Sequence, residues 1–366
     1  METIIGKTKI GGDNPCFIIA EIGINFDGSY EKALALIDSA KKAGASAVKF
    51  QLFRADKMYT KKAGVYYKES GEKGDIFELV KKVELPENWI PKLKEYAESQ
   101  SLEFFSTACD EQSVDMLEKY KVSAYKVASY EITHIPLLRY IARKQKPIIF
   151  SCAGANLKEI EDAFSVFKEE GNSQIILNHC IGKYPAPLEV LNLNAIPFLI
   201  SKFFQAIIGY SDHSLDPVKA PSAAVALGAK AIEKHITLDR KSPGADHYCA
   251  IEPEELVLMV RAIRETEEKM SRGEKVEIDP VMLGKQERET LEEEKYIRDF
   301  AYRSVFAIKP IKKGELFTKE NIAVLRAGNQ ERGLEPKYFE ELIKGKKAIN
   351  DIQENVALKS ENIYEI

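Results

Sequence analysis

Short runs of Val, Ile and Phe alternate along the chain with stretches whose apolar residues recur at helical spacing. The first kind reads as buried strand and the second as amphipathic helix. Eight runs carry the strand pattern: CFIIAE (16–21), SAVKFQL (46–52), LEFFST (102–107), SAYKVAS (123–129), PIIFS (147–151), QIILNHC (174–180), QAIIGYS (205–211) and AKAIEKH (229–235). Helical patterns fall between them. EKALALIDSAKKAG (31–44) stops at Gly44, a good C-terminal signal, and EPEELVLMVRAIRETEEKM (252–270) closes the series. Strand–helix alternation predicts a parallel sheet with helical cover. Eight units over roughly 250 residues predict an α/β fold of the (β/α)₈ TIM-barrel type; an open doubly wound sheet is the alternative.

Two stretches break the rhythm. KKAGVYYKESGEKGD (61–75) is rich in Gly and charge and reads as a long, mobile loop after the second strand. After Met270 the chain becomes highly charged, which reads as an exposed connection. From Tyr302 short strands and turns take over, and 308–322 and 349–363 share an internal pseudo-repeat. The expected division is a barrel over 1–280, a linker over 281–300 and a small β-rich domain over 301–366.

Composition narrows the partners. Lys+Arg number 53 against 57 Asp+Glu, and no long basic block occurs, so nucleic acid is not expected. No apolar run approaches the roughly 20 residues that span a bilayer, and the N-terminus lacks a signal-peptide core. A cytoplasmic protein is the expectation. Five scattered cysteines without CxxC spacing read as reduced thiols.

The strand ends carry the chemistry. In a (β/α)₈ barrel they face one common mouth. Here they supply Glu21, Lys49 with Gln51, Thr107, Lys126 with Ser129 and Glu131, Ser151, His179, Ser211 with His213, and Lys234 with His235. So many polar strand ends predict an active site. His213 and His235 end neighbouring strands and make a sensible imidazole pair for a divalent metal. His179 and His247 are weaker candidates, and His134 reads as surface. Lys49 and Lys126 sit between apolar neighbours, where an unpaired ammonium is costly. An anionic phosphate or carboxylate ligand would supply the partner, with Thr107, Ser129, Ser151 and Ser211 as hydroxyl donors. A buried Glu, or a Schiff base at either lysine, are the alternatives. Glu21 and Glu131 are the candidates for proton handling. Asp246 lies in the loop after the last strand, placed for a substrate hydroxyl or the surroundings of the metal.

FIIAEIGINFDGS, AGASAVKFQLFRADKM, FFSTACDEQSVDML, AYKVASYEITHIPLLRYIARKQKPIIFS, YPAPLEVLNLNAI, GYSDHSLD and AVALGAKAIEKHITLDRKSPGADH follow one another in the order of the sialic acid synthase motifs. The chain resembles that family nearly end to end. Its tail, RSVFAIKPIKKGELFTKENI, is similar to the family's antifreeze-like SAF domain. The resemblance implies a metal-dependent condensation of phosphoenolpyruvate with an N-acylated hexosamine, giving a nine-carbon 2-keto acid and phosphate. It implies that Lys49, Thr107, Lys126, Ser129, Ser151 and Ser211 hold phosphoenolpyruvate. Glu21, Gln51, Glu131, Tyr184 and Asp246 would surround the sugar, with Glu21, Glu131, His213 and His235 catalytic. His213 and His235 would bind the metal, Mn²⁺ first, with Mg²⁺ or Co²⁺ as alternatives. It further implies a domain-swapped homodimer in which Arg326 reaches the sugar's acyl group across the dimer. A Schiff-base pyruvate aldolase and a non-catalytic sugar-binding homologue are the competing expectations.

The chain departs from the family pattern at several positions. Phe26 stands where His is usual, Ala108 and Cys109 replace Pro-Phe, and Cys152 replaces a hydroxyl residue. Gly182 stands where Asn or Ser is usual, and Ala327 replaces proline. These departures are expected to cluster at the mouth and to bear on the choice of substrate.

Overall fold

The computed structural model describes residues 1–67 and 73–363. Eight parallel strands close into a barrel: β1 (Phe17–Gly23), β2 (Ala47–Leu52), β3 (Glu103–Ala108), β4 (Tyr125–Val127), β5 (Ile148–Ser151), β6 (Ile175–Cys180), β7 (Ile207–Asp212) and β8 (Ala231–His235). Each strand pairs with the next, and β8 returns to β1, with His235 opposite Glu21. The outer helices are α1 (Tyr30–Ala43), α2 (Ile90–Ser99), α3 (Glu111–Lys119), α4 (Ile135–Ala142), α5 (Leu157–Glu169), α6 (Ala195–Lys202), α7 (Lys219–Ala226) and α8 (Pro253–Ser271). Helix α1 ends where the pattern predicts: Gly44 takes the left-handed conformation (φ 82°), and its N–H closes back on the Ala40 and Lys41 carbonyls.

Side chains alternate in and out along every strand. Phe17, Ile19, Phe105, Ile149 and Ile176 fill the lower interior. A hairpin of Glu2–Ile5 and Thr8–Gly11, which the sequence pattern did not single out, plugs it from below with Ile5 and Ile10. Further up, the inward positions become Glu21, Lys49, Thr107, Lys126, Ser151 and Glu233, and the core gives way to a polar floor. Strand β4 is shorter than expected. It stops at Val127, and Ser129–Glu131 form a 3₁₀ turn that leads Glu131 away from the mouth.

The stretch expected as a long loop is ordered in its described part. Val65–Tyr67 pairs with Lys73–Asp75, and a helix follows at Ile76–Lys82. Residues 68–72 of that expectation lie outside the described residues. The charged connection is not simply exposed either. Arg288 and Glu294 are buried, and α9 (Lys295–Ala301) lies over the barrel mouth. The small domain pairs β9 (Arg303–Ala307) with β10 (Ile322–Arg326) around its own apolar core. Ile311 bridges Ile352, which occupies the equivalent place in the second pseudo-repeat. Among the described residues, no helix is long and apolar enough to cross a membrane.

Candidate active site

The floor of the mouth is a charge cluster on β1, β2, β4 and β8. Lys49 Nζ lies 2.8 Å from Glu21 Oε2, 3.7 Å from Glu233 Oε1 and 3.0 Å from Thr107 Oγ1. Gln51 donates to Glu21 Oε1 at 3.0 Å. Lys126 Nζ donates to Ser151 Oγ and to the Val127 carbonyl, both at 2.8 Å. Ser211 donates to Glu233 at 3.3 Å. Burial alone would depress both lysines. For Lys126 it wins, and the ammonium is held below its usual range. For Lys49 the carboxylates of Glu21 and Glu233 outweigh burial and raise it. Burial likewise opposes the charge on Glu233, but Lys126 and Lys49 pull its pKa down. Lys49 thus has the buried glutamate partner that the sequence left as an alternative. Two ammonium groups face two carboxylates, so the floor is electrically balanced before any ligand arrives.

The imidazoles stand above this floor. The ring centroids of His213 and His235 are 5.8 Å apart. His213 Nδ1 lies 2.6 Å from the Ile181 carbonyl, which makes Nδ1 the protonated nitrogen and Nε2 the acceptor, with Cys180 Sγ 3.8 Å from it. Burial, with His235 nearby, lowers the His213 pKa to about 3 and keeps the ring neutral. His235 Nδ1 is buried without a hydrogen-bond partner, 3.9 Å from Asp246 Oδ2. Tyr184 stacks on His213 with ring centroids 4.0 Å apart, and its hydroxyl meets that of Tyr130 at 3.3 Å. Two convergent imidazoles, one with an orphaned ring nitrogen, fit a divalent cation with open positions. Among the described residues, no group of three or more His, Cys, Asp or Glu side chains adds further ligands.

Ser129 and Asp246 also line the cavity, and Ser129 Oγ accepts from the Ala153 N–H at 3.0 Å. Arg326 lines it from the small domain. Glu131 does not. It is fully buried between Arg303 and Arg326, donating groups that lie on β9 and β10. Its carboxylate is lowered to about 2, because the two guanidiniums outweigh the cost of burial. The expectation that Glu131 faces the sugar is therefore corrected: the turn after β4 carries it to the domain interface. Arg326 Nη2 donates to Glu131 at 2.5 Å, and its guanidinium lies 5.5 Å from the ring centroids of Tyr59 and Tyr130. This arginine belongs to the same chain as the barrel. Within this single chain α9 leads β9 and β10 onto their own barrel, so Arg326 meets Glu131 in cis.

Period-two alternation also corrects two strand-end residues. Lys234 follows Glu233 and so points outward, where it donates to Asp212 at 2.5 Å and to the Ser214 carbonyl at 2.5 Å. His179 points outward too, with Nε2 2.8 Å from the Leu191 carbonyl and its ring stacked on Tyr210. His247 bridges Thr237 and Asp27. His134 is half-buried rather than surface: its Nδ1 caps α4 by accepting from the Leu137 N–H at 3.3 Å. Sequence reasoning missed Glu233 as a floor residue, although it shares its face of β8 with His235.

The departures from the family pattern are scattered rather than clustered at the mouth. Phe26 packs on Phe50 and Trp89 in the outer core. Cys152 is buried, with Sγ 3.4 Å from the Asn178 carbonyl, and Ala327 is buried in the small domain. Cys109 does line the cavity. Gly182 donates its N–H to Glu294 Oε1 at 2.7 Å, and Gly154 donates to the same oxygen at 2.8 Å. Arg288 completes this buried anchor with bonds of 2.8 and 2.9 Å to the Glu294 oxygens and 3.0 Å to the Cys152 carbonyl. Backbone groups thus take over where polar side chains were expected.

Comparison with known proteins agrees with this architecture. The NeuB family model matches residues 36–275, and the SAF domain model matches residues 302–363. The spore coat polysaccharide biosynthesis protein SpsE of Bacillus subtilis is 48% identical over 359 residues, 98% of this chain and 96% of that protein. Its crystal structure superposes with a TM-score of 0.90 at 46% identity and covers 100% of both chains. The N,N'-diacetyllegionaminic acid synthase of Legionella pneumophila is 36% identical over 354 residues, 95% of this chain and 94% of that protein. With the barrel, the SAF domain and the ordered motifs all in place, the chain belongs to the NeuB family, the sialic acid synthases.

Proposed function

We propose that the protein condenses phosphoenolpyruvate with an N-acylated hexosamine, giving a nine-carbon 2-keto acid and inorganic phosphate. One observation carries the reading: two buried lysines and a set of Ser/Thr hydroxyls converge on the floor beneath a pair of neighbouring imidazoles. Relatives named as synthases of legionaminic and pseudaminic acid support it. So does the human relative named N-acetylneuraminate-9-phosphate synthase, 30% identical over 354 residues.

In this reading Lys49 and Lys126 bind the phosphate and carboxylate of phosphoenolpyruvate. Thr107, Ser129, Ser151 and Ser211 donate around them. Gln51, Tyr184 and Asp246 orient the sugar, with Arg326 at the rim. Glu21 holds Lys49 in place and is itself held by Gln51. His213 and His235 would hold a divalent cation, Mn²⁺ in the first instance, supplying Lewis-acid polarisation of the acceptor aldehyde. Because the floor is balanced in charge, such a cation would also tip it towards binding a multiply charged anion.

The methylene carbon of phosphoenolpyruvate forms the new bond to the aldehyde carbon. Positive charge develops at the enol carbon, and water adds there. The tetrahedral intermediate expels phosphate by C–O cleavage and becomes the keto acid. The proton lost by the adding water balances the one gained by the acceptor oxygen. The test is to mix the full-length protein with phosphoenolpyruvate, Mn²⁺ and, in turn, N-acetylmannosamine or a 2,4-diacetamido-2,4,6-trideoxyhexose. Acceptor-dependent phosphate release is expected. Folded protein that is silent with the whole panel contradicts the proposal.

A further inference from the structure

The cavity has two chemically different ends. Lys49, Lys126, His213 and His235 mark the charged end. At the other, Met58, Tyr66, Ile76 and Val80 come from the segment after β2, and Ile297 and Phe300 come from α9. These walls touch: the Tyr66 and Phe300 rings are 5.2 Å apart, and Phe300 shares an apolar cluster with Met58 and Ile76. Gly182 sets this up. A Cβ at 182 would lie 3.2 Å from Ile297 Cγ2 and 3.4 Å from Glu294 Oε1. Without that Cβ, Glu294 and Ile297 pack on Gly182 more closely, by a few tenths of an ångström, than a side chain there would allow. Where the family pattern has a polar side chain, this chain places an aliphatic one carried by α9.

Given the reaction proposed above, the acceptor aldehyde sits at the charged end, and the opposite end of the open sugar chain faces these hydrocarbon walls. A hydroxymethyl group there must desolvate its hydroxyl against mostly apolar side chains, whereas a methyl group carries no such cost. We propose that Ile297, which packs beside Gly182 and lines the cavity together with Ile76 and Val80, is a specificity-determining residue that selects acceptors whose terminal carbon is deoxygenated.

The test compares two acceptors that differ by one oxygen, N-acetylmannosamine and its 6-deoxy analogue, in kcat/KM with phosphoenolpyruvate and Mn²⁺. The wild-type chain should prefer the 6-deoxy analogue by about tenfold or more. Ile297→Asn and Val80→Thr, both at half-buried positions, should bring that ratio towards one, chiefly by lowering KM for N-acetylmannosamine. Equal use of the two sugars, a preference for the hydroxymethyl sugar, or a ratio that neither variant moves overturns the inference and leaves the proposed reaction standing. Silence with both sugars and with the diacetamido acceptor overturns the proposed reaction and this inference together.

Discussion

Replacing Glu131 with glutamine separates an interface role from a chemical one. The side chain keeps its shape but loses its charge. In the native protein its two oxygens receive Arg303 Nε and Arg326 Nη2, with Glu131 and Arg303 both fully buried. Arg303 keeps other acceptors, the carbonyls of Lys57 (2.8 Å), Val324 (2.9 Å) and Cys109 (2.7 Å). Among the described residues, the Arg326 guanidinium keeps the faces of Tyr59 and Tyr130. Removing one member of a buried ion cluster costs about 3–5 kcal/mol, because the remaining charge stays buried without compensation. The loss should fall mainly on Arg326 and loosen β10 over the mouth. Urea unfolding followed by the fluorescence of Trp89, the single tryptophan, measures the stability. Steady-state phosphate release measures the activity. Stability should drop by about 3–5 kcal/mol, with a higher KM for the acceptor and a fall in kcat smaller than about tenfold. Unchanged stability with a kcat loss of about a thousandfold would refute this reasoning and return Glu131 to proton transfer.

Glu131 titrates at about 2 in the folded protein, below its ordinary 4.5, so its contribution is complete above pH 4.5 and is lost as pH falls towards 2. The wild-type urea midpoint should therefore fall more steeply than that of Glu131→Gln across this window; parallel curves would contradict the assignment. Lys126→Met removes a buried ammonium bonded to Ser151 and should raise KM for phosphoenolpyruvate by about tenfold or more, a loss of roughly one charge-assisted bond. An unaltered KM would exclude Lys126 from the anion site. His235→Gln should abolish stabilisation of the protein by added Mn²⁺ in thermal unfolding, and an undiminished shift would place the cation elsewhere.

Much of the barrel was legible because its strands are long apolar runs bounded by helices with their own period. Glu21, Lys49, Thr107, Lys126, Ser151 and His235 were found because a polar residue ending such a run is conspicuous. Facing was harder to read. Lys234 and His235 are neighbours in sequence, and only the alternation of the strand sends one outward and the other into the mouth. The hairpin at the barrel base was overlooked because it contributes only Ile5 and Ile10 to the core. The interface cluster had no local signal at all. Arg303 and Arg326 lie 172 and 195 residues from Glu131 in sequence, and charged residues in a charged stretch, Arg288 and Glu294 included, read as solvated until their partners are seen.

The most direct test of the account follows both products of a single reaction, using phosphoenolpyruvate labelled with ¹⁸O at its bridging oxygen. With Mn²⁺ and a competent N-acylated hexosamine, one nine-carbon 2-keto acid per phosphate is expected, with the label in the phosphate. Label retained in the keto acid, or phosphate released without formation of the acid, would contradict it.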